Sequence, residues 1–340
     1  LEQHPACKDK KRTVALILAG YDKPDILTRL KRRRELRQSY DGEIIYMGHN
    51  KFLEKIRSKP VIEYVISAVN EAKVNGKPIY DKIYIYNDIE SVKKTISADK
   101  YQRLELRQMT GSVGGNWKDF YNNEINYGDR VDVFFGDTPR ITPEDVEWIH
   151  RSYSGILGKK KDHRGVTVKL AFGIVRFQDL HDDCLNYRHR YIKRGKNKGK
   201  LKYFVGFENY QARVGNSGAM IKDPGMDEII DKEVLNFFYN LRKALTPSVF
   251  SKIIYYLMKT KNFDLIKQVK NRKIKEKDFI NSLFDIAGSV YNIDISRFAG
   301  ALFITTKNAA HWENDIDTPT DLKKISNHLT RQGRNFTEGE

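Results

Sequence analysis

Cysteine is nearly absent: the 340 residues contain two, Cys7 and Cys184. They lie far apart without metal-ligand spacing, which argues against a disulfide framework and a structural zinc site, and a reducing, cytoplasmic setting is expected. Long apolar runs are lacking too, and none approaches the roughly 18 residues of a membrane span. Residues 1–12 are polar and charged, whereas a secretory leader would place an apolar stretch of about 7–15 residues behind a basic start. No internal repeat is found.

Acidic residues are outnumbered, 44 against 61 Lys and Arg, for a formal charge of +17. Such a field favours anionic partners: nucleotides, phosphorylated metabolites, nucleic acid or an acidic membrane surface. Hydrophobic residues make up 40% and aromatic residues 11%, enough for a substantial core, so a disordered chain is excluded.

Thr13-Val14-Ala15-Leu16-Ile17-Leu18 reads as a strand buried on both faces. Lys82-Ile83-Tyr84-Ile85-Tyr86 and Val131-Asp132-Val133-Phe134-Phe135 are further strands. Between the first two, Pro60 opens a helix with Ile62, Val65, Ile66 and Val69 at helical spacing. After the third, Thr142-Pro143-Glu144-Asp145 supplies an N-cap, a first-turn proline and first-turn acids. The alternation predicts an α/β fold, a mainly parallel twisted sheet flanked by helices. Residues 166–175 read as another strand, 188–202 as a basic loop, and 227–291 as helical, with strand character returning at Ala301-Leu302-Phe303-Ile304-Thr305. The organisation expected is a core over 13–226, an inserted helical subdomain over 227–298, and a return to the core over 299–330. Asp137 then ends a strand, and open α/β sheets bind ligands beyond the carboxyl ends of their strands.

Four segments together resemble the MobA-like and sugar-nucleotidyltransferase superfamily. Leu16-Ile17-Leu18-Ala19-Gly20, followed by Lys51-Phe52-Leu53 and Lys59-Pro60, is similar to the family's phosphate-binding strand end, Lys-x-Leu and Gly-Lys-Pro. Tyr21 replaces the usual second glycine, and an enlarged loop carrying Arg29, Arg32, Arg33 and Arg34 separates Gly20 from Lys51. Gln108-Met109-Thr110-Gly111 through Asn116 resembles the region that edges the base. Gly136-Asp137-Thr138-Pro139-Arg140-Ile141-Thr142-Pro143-Glu144-Asp145 resembles the family's Gly-Asp-x-Pro-x-Ile-Thr-Pro-Glu-Asp and is the most specific of the four. Asp315-Ile316-Asp317-Thr318-Pro319-Thr320-Asp321-Leu322 resembles the terminal acidic motif.

The resemblance implies that an NMP moiety passes from an NTP to a phosphorylated acceptor, with release of pyrophosphate. Lys51, Asp137 and Asp317 would be catalytic. Leu18, Ala19, Gly20, Lys51, Gln108, Gly111 and Asn116 would bind the nucleotide, and Lys59, Glu208, Asn216 and Gly218 would face the acceptor. Magnesium, or manganese in its place, would be held by Asp137 and Asp317 with Asp315 close behind, because magnesium takes oxygen ligands and few protein carboxylates. Asp315 and Asp317 alternate along an extended chain, so both are not expected to point at one ion. Thr318 would cap a helix opened by Pro319, with Asp321 as a helix-start acid. Residues 215–220 fall where the family carries an acceptor-facing loop, Asn216-Ser217-Gly218 having the composition of a turn, and His311-Trp312 could wall the pocket.

The rival readings are a metal-dependent nucleotide-sugar glycosyltransferase and a catalytically weakened nucleotide-binding protein. No nucleic-acid-binding motif accompanies the basic loop. That loop and the helix around 253–270 could instead meet an anionic membrane face.

Overall fold

The computed structural model describes residues 11–20, 50–180, 205–232, 273–295 and 300–331, with a few single positions between 234 and 271. The arginines of the enlarged loop after Gly20, Tyr21, both cysteines, the basic loop 188–202, and much of segment 227–298, including most of the helix around 253–270, lie outside the described residues.

Among the described residues eight strands form the sheet, seven of them along one path: β1 (Thr13–Leu18), β2 (Lys82–Asn87), β3 (Leu104–Gln108), β4 (Arg130–Phe135), β5 (Val168–Arg176), β6 (Gln211–Ile221) and β7 (Gly300–Thr305). Their order is β7-β5-β6-β4-β1-β2-β3, with Val205–Gly206 pairing onto β6. Neighbours pair in parallel except β6, which runs antiparallel to both β4 and β5. The mainly parallel α/β architecture is therefore present. β1 has β2 on one side and β4 on the other, so the order reverses at β1, the kind of switch point beyond whose carboxyl end open α/β sheets bind ligands.

Alternation along β1 feeds two cores. Ala15 and Ile17 face α1 (Val61–Glu71) and α4 (Pro143–Ser154) through Ile62, Val65, Ile66, Val146, Ile149 and Tyr153. Val14, Leu16 and Leu18 face α3 (Val113–Asn123) through Trp117, Phe120 and Tyr121; α2 is Ile89–Thr95. Within segment 227–298, the short helix Asp227–Asp231 and α5 (Glu276–Tyr291) add Ile229, Ile230, Ile280, Phe284 and Ala287 to this second core. At the far end, α6 (Pro319–Arg331) packs Ile325 and Leu329 with Ile56, Val61, Tyr64 and Ile316. Among the described residues no helix is long and apolar enough to cross a membrane.

Two strands differ from the sequence-based expectation. β3, Leu104-Glu105-Leu106-Arg107-Gln108, is an edge strand whose charged alternation gives no buried run. Residues 215–220, expected as a loop, lie inside β6, where a bulge between Val214 and Gly218 absorbs Gly215-Asn216-Ser217. The proline at the start of α1 also sits one place earlier than expected: Pro60 is the extended N-cap residue and the helix begins at Val61.

Under β4 lies a buried polar network. Asp132, with no exposure, accepts from Arg130 Nε (2.8 Å) and Tyr80 Oη (3.0 Å), and its Oδ2 is 3.0 Å from Nδ1 of His150 on α4. Burial alone would raise the Asp132 pKa, but Arg130 and His150 outweigh it and hold the carboxyl below the usual range. Its stabilisation is thus present above the unfolded-state value of about 3.9 and is lost as pH falls through the lower folded-state value. Asp132→Asn should cost about 3 kcal/mol at pH 7 by leaving Arg130 without its carboxylate. In urea titrations the gap to wild type should narrow toward pH 3; an unchanged gap would refute the charge assignment.

Candidate active site

Every strand but β6 points the same way, so the ends of β1, β2, β3 and β4 meet along one edge. At the end of β4, Gly136 lets the chain pass close to its neighbours: a Cβ there would lie 3.1 Å from Ala19 Cβ and 3.2 Å from the Phe52 ring. Asp137 follows, 8% exposed, its Oδ1 buried without a hydrogen-bond partner.

Lys51 reaches the same point from a single 3₁₀ turn, Lys51–Leu53, anchored by buried Phe52. Its Nζ lies 2.6 Å from Asp137 Oδ2 and 2.9 Å from Asp317 Oδ1, and donates to the Ile316 carbonyl at 2.6 Å. Burial would lower the lysine pKa, but the Asp137, Asp317 and Asp315 carboxylates hold it above its ordinary value, so the ammonium stays charged.

The terminal acids are placed by a tight turn. The N–H of Asp315 donates to the Glu313 carbonyl at 2.9 Å across Asn314, whose φ of −82° and ψ of 74° are those of an inverse γ-turn. Ile316 is fully buried and its N–H donates to the Asp137 carbonyl at 3.1 Å. One carboxylate oxygen each of Asp137, Asp315 and Asp317 lies within 4.8 Å of the others. This corrects the expectation that alternation would turn Asp315 and Asp317 apart: residues two apart on an extended chain share a face, and it is Ile316 between them that turns away into its own apolar cluster.

Two capping acids build the frame. Asp145 and Thr142 form a capping box on α4, and Asp145 also meets Asn308 Nδ2 and His311 Nδ1, both at 2.6 Å. That pair fixes the short helix Ala309–Glu313 just before the acids. At α6, Asp321 Oδ2 accepts from Thr318 N–H (3.0 Å) and hydroxyl (2.9 Å), while its own N–H donates to Thr318 Oγ1 at 3.1 Å. Burial, with Asp317 and Asp315 nearby, pushes the Asp321 carboxyl up to about 7. Trp312, expected to wall the pocket or pack, is fully buried and stacks on Phe134 at 6.2 Å.

Of the residues expected to bind a nucleotide, Leu18 and Ala19 are buried, so only their backbone can contribute at the surface. A Cβ on Gly20 would lie 2.9 Å from Asn116 Nδ2, so a side chain there would have to push the Asn116 amide aside. Asn116 is itself buried, its Oδ1 accepting from Thr110 N–H (2.7 Å) and hydroxyl (3.0 Å). It therefore shapes the Gln108-to-Gly111 loop, where Gly111 adopts a φ of +88°. Gln108 is exposed, its Oε1 accepting from Ile89 N–H at 3.2 Å. A residue not anticipated, Asn87 at the end of β2, donates to the Ala19 carbonyl (2.8 Å) and accepts from Asn50 (2.6 Å), joining the β1 end to the lysine turn.

The residues expected to face an acceptor are not brought together. Lys59 donates to Ser67 Oγ at 2.8 Å and lies over the Tyr64 ring, with Glu63, Lys100 and Glu71 as its charged surroundings. Glu208 is exposed in the turn before β6, where its N–H donates to the Ile274 carbonyl. Gly218 sits within the sheet, paired to Val133 and Phe172. Asn216 is fully buried and donates to the Trp312 carbonyl at 2.8 Å, a brace from β6 to the acidic segment. Arg213 was also missed; it faces Val175 in the register and reaches Glu313.

No family model and no curated protein sequence matches the chain. A hypothetical transferase from Thermus thermophilus shares the fold: TM-score 0.53 at 15% identity, covering 92% of this chain and 99% of that one. Lower TM-scores are found with CMP:2-keto-3-deoxy-manno-octonic acid synthetase complexed with CTP (0.44 at 11% identity, 95% and 100% covered). The same holds for 4-diphosphocytidyl-2C-methyl-D-erythritol synthase from Anaerococcus prevotii (0.45 at 12% identity, 94% and 97% covered).

Lys51→Met should leave Asp137 and Asp317 facing each other without their ammonium. We expect its thermal midpoint in EDTA to fall by about 4 °C, as for the ~3 kcal/mol of removing one partner of a buried ion pair at an unfolding entropy of about 2.1 cal/mol/K per residue. Manganese should recover most of that loss; an equal deficit with and without manganese would argue against divalent-ion binding by these acids.

Proposed function

We propose that this protein is a nucleotidyltransferase, transferring an NMP moiety from an NTP to a phosphorylated small-molecule acceptor and releasing pyrophosphate. The observation that carries the reading is the meeting of Lys51, Asp137 and Asp317 beyond the carboxyl ends of β1 and β4, where the strand order reverses. The shared fold with a hypothetical transferase is consistent with it.

The donor set fits a hard divalent cation. Three carboxylates converge, and the buried Oδ1 of Asp137 has no protein partner. Asp137 and Asp317 would hold magnesium, which when bound supplies charge neutralisation and alignment of phosphate oxygens. Lys51 supplies a fixed positive charge for the triphosphate. The backbone from Leu18 to Gly20, kept open by Gly20, offers the phosphates a close approach, and Gln108 offers its amide to a base edge.

In the transfer, an acceptor phosphate oxygen attacks the α-phosphorus and the bond to the β-phosphate bridge breaks, with pyrophosphate carrying away the electron pair. The acceptor phosphate is already ionised near neutral pH, so a protein general base is not required. Positioning and charge neutralisation therefore supply most of the rate.

The deciding experiment is pyrophosphate release with magnesium, each of the four NTPs being offered against sugar, polyol and amino-alcohol phosphates. Acceptor-dependent release is expected. Tight NTP binding without release across the panel would point to the nucleotide-binding protein, and turnover of a nucleotide sugar to the glycosyltransferase. Asp137→Asn should lower kcat by at least ~10²-fold, the scale of losing one preorganised charge-stabilising group, with the circular dichroism spectrum unchanged. A variant of near wild-type activity would remove Asp137 from the mechanism.

A further inference from the structure

Four acids crowd the end of the short helix Ala309–Glu313 and the turn after it, and two cations divide them. From one side Lys51 takes Asp137 and Asp317. From the other, Arg213 of β6 places Nη1 2.9 Å from Glu313 Oε1 and Nη2 3.7 Å from Asp315 Oδ2. The side chains are 13% exposed for Arg213, 2% for Glu313 and 12% for Asp315. Glu313 buried to this degree needs a cation, and a guanidinium, with its planar fork of donors, can serve two carboxylates at once where an ammonium is a point charge. Three residues along the strand, Asn216 grips the Trp312 carbonyl. β6 therefore holds the acidic segment by both its backbone and its side chains.

We propose that Arg213 is a positioning residue that keeps Asp315 on the Glu313 side of the turn, so that a divalent ion is held by Asp137 and Asp317 alone. The inference rests on the metal-dependent reading above and decides between acids that proximity leaves equivalent, since all three place an oxygen within 4.8 Å of the others. Its chemical sense lies in coordination number. Magnesium binds through one or two carboxylates and keeps its remaining positions for water and phosphate. A third carboxylate would occupy a position that a triphosphate oxygen needs, and would bring further negative charge toward an anionic substrate.

The test is manganese affinity of the full chain without nucleotide, measured by electron paramagnetic resonance and read separately from turnover. Asp137→Asn and Asp317→Asn should each weaken binding by about tenfold or more, and Asp315→Asn by much less; loss of a ligand exceeds or matches the ~10–100-fold typical of outer partners. Arg213→Gln should tighten manganese binding several-fold while lowering kcat, because Asp315 is released toward the ion. Adding Asp315→Asn to Arg213→Gln should abolish that tightening; if it persists, loss of a positive charge alone explains it and the proposal fails. Arg213→Lys, which keeps the charge, should recover part of the turnover. Should Arg213→Gln fail to fold because Glu313 is left buried, Arg213→Gln with Glu313→Gln removes both charges, and the tightening should remain. Equal losses for Asp315→Asn and Asp317→Asn would overturn the role of Arg213 while leaving the metal site in place. Unchanged affinity in Asp137→Asn and Asp317→Asn would overturn the metal site and this inference together.

Discussion

One ammonium group joins three segments, the outer two 265 and 266 residues apart at their contacts. Lys51 Nζ meets Asp137, Asp317 and the Ile316 carbonyl, so the turn after the enlarged loop, the end of β4 and the start of α6 converge on a single charge. Bringing two carboxylates together costs Coulomb energy, and burying a lysine costs hydration. Each cost offsets the other only while all three groups are present. Much of the surrounding structure can be understood as what holds them there: the Phe52 anchor, the Ile316 plug between Ile56, Val61 and Tyr64, and the close passage of Gly136 beside Ala19.

The acids of the two longest motifs divide into two kinds. Asp137 and Asp317 face the charge, whereas Asp145 and Asp321 close capping boxes at the starts of α4 and α6. Asp145 does more than end a helix, since Asn308 and His311 both bind it and so carry the orientation of α4 into the segment that precedes Asp315. A Thr-Pro-Glu-Asp string is thus specific for structural reasons as well as chemical ones.

These features decided what was legible. Strands buried on both faces, such as β1 and β4, declare themselves as apolar runs, and the Thr142 and Thr318 caps are written in adjacent residues. Asp137 could be placed because it follows such a run directly. β3 could not, because Leu104-Glu105-Leu106-Arg107-Gln108 is polar on alternate positions at a sheet edge. β6 was hidden for the opposite reason: Gly215-Asn216-Ser217-Gly218 has turn composition, yet the glycines serve a bulge, and a Cβ on Gly215 would lie 3.2 Å from the Gly173 carbonyl oxygen. Asn216, expected at the acceptor, is fully buried within that strand and donates to the Trp312 carbonyl.

Losing the loop at 215–220 brings in a different principle of construction. An antiparallel β6 in a sheet otherwise parallel sends its amino-terminal half to the edge where the other strands end, so Arg213 and Asn216 arrive beside the acids from a strand that sequence patterning treats as connecting chain. A parallel strand in that place would have presented its carboxyl-terminal residues instead. The bulge then supplies local irregularity without breaking the pairing on either side, so that Asn216 can reach a backbone carbonyl and Arg213 a buried carboxylate. The polarity of one strand therefore sets which cation joins Lys51 among these acids, and with it how the four are shared.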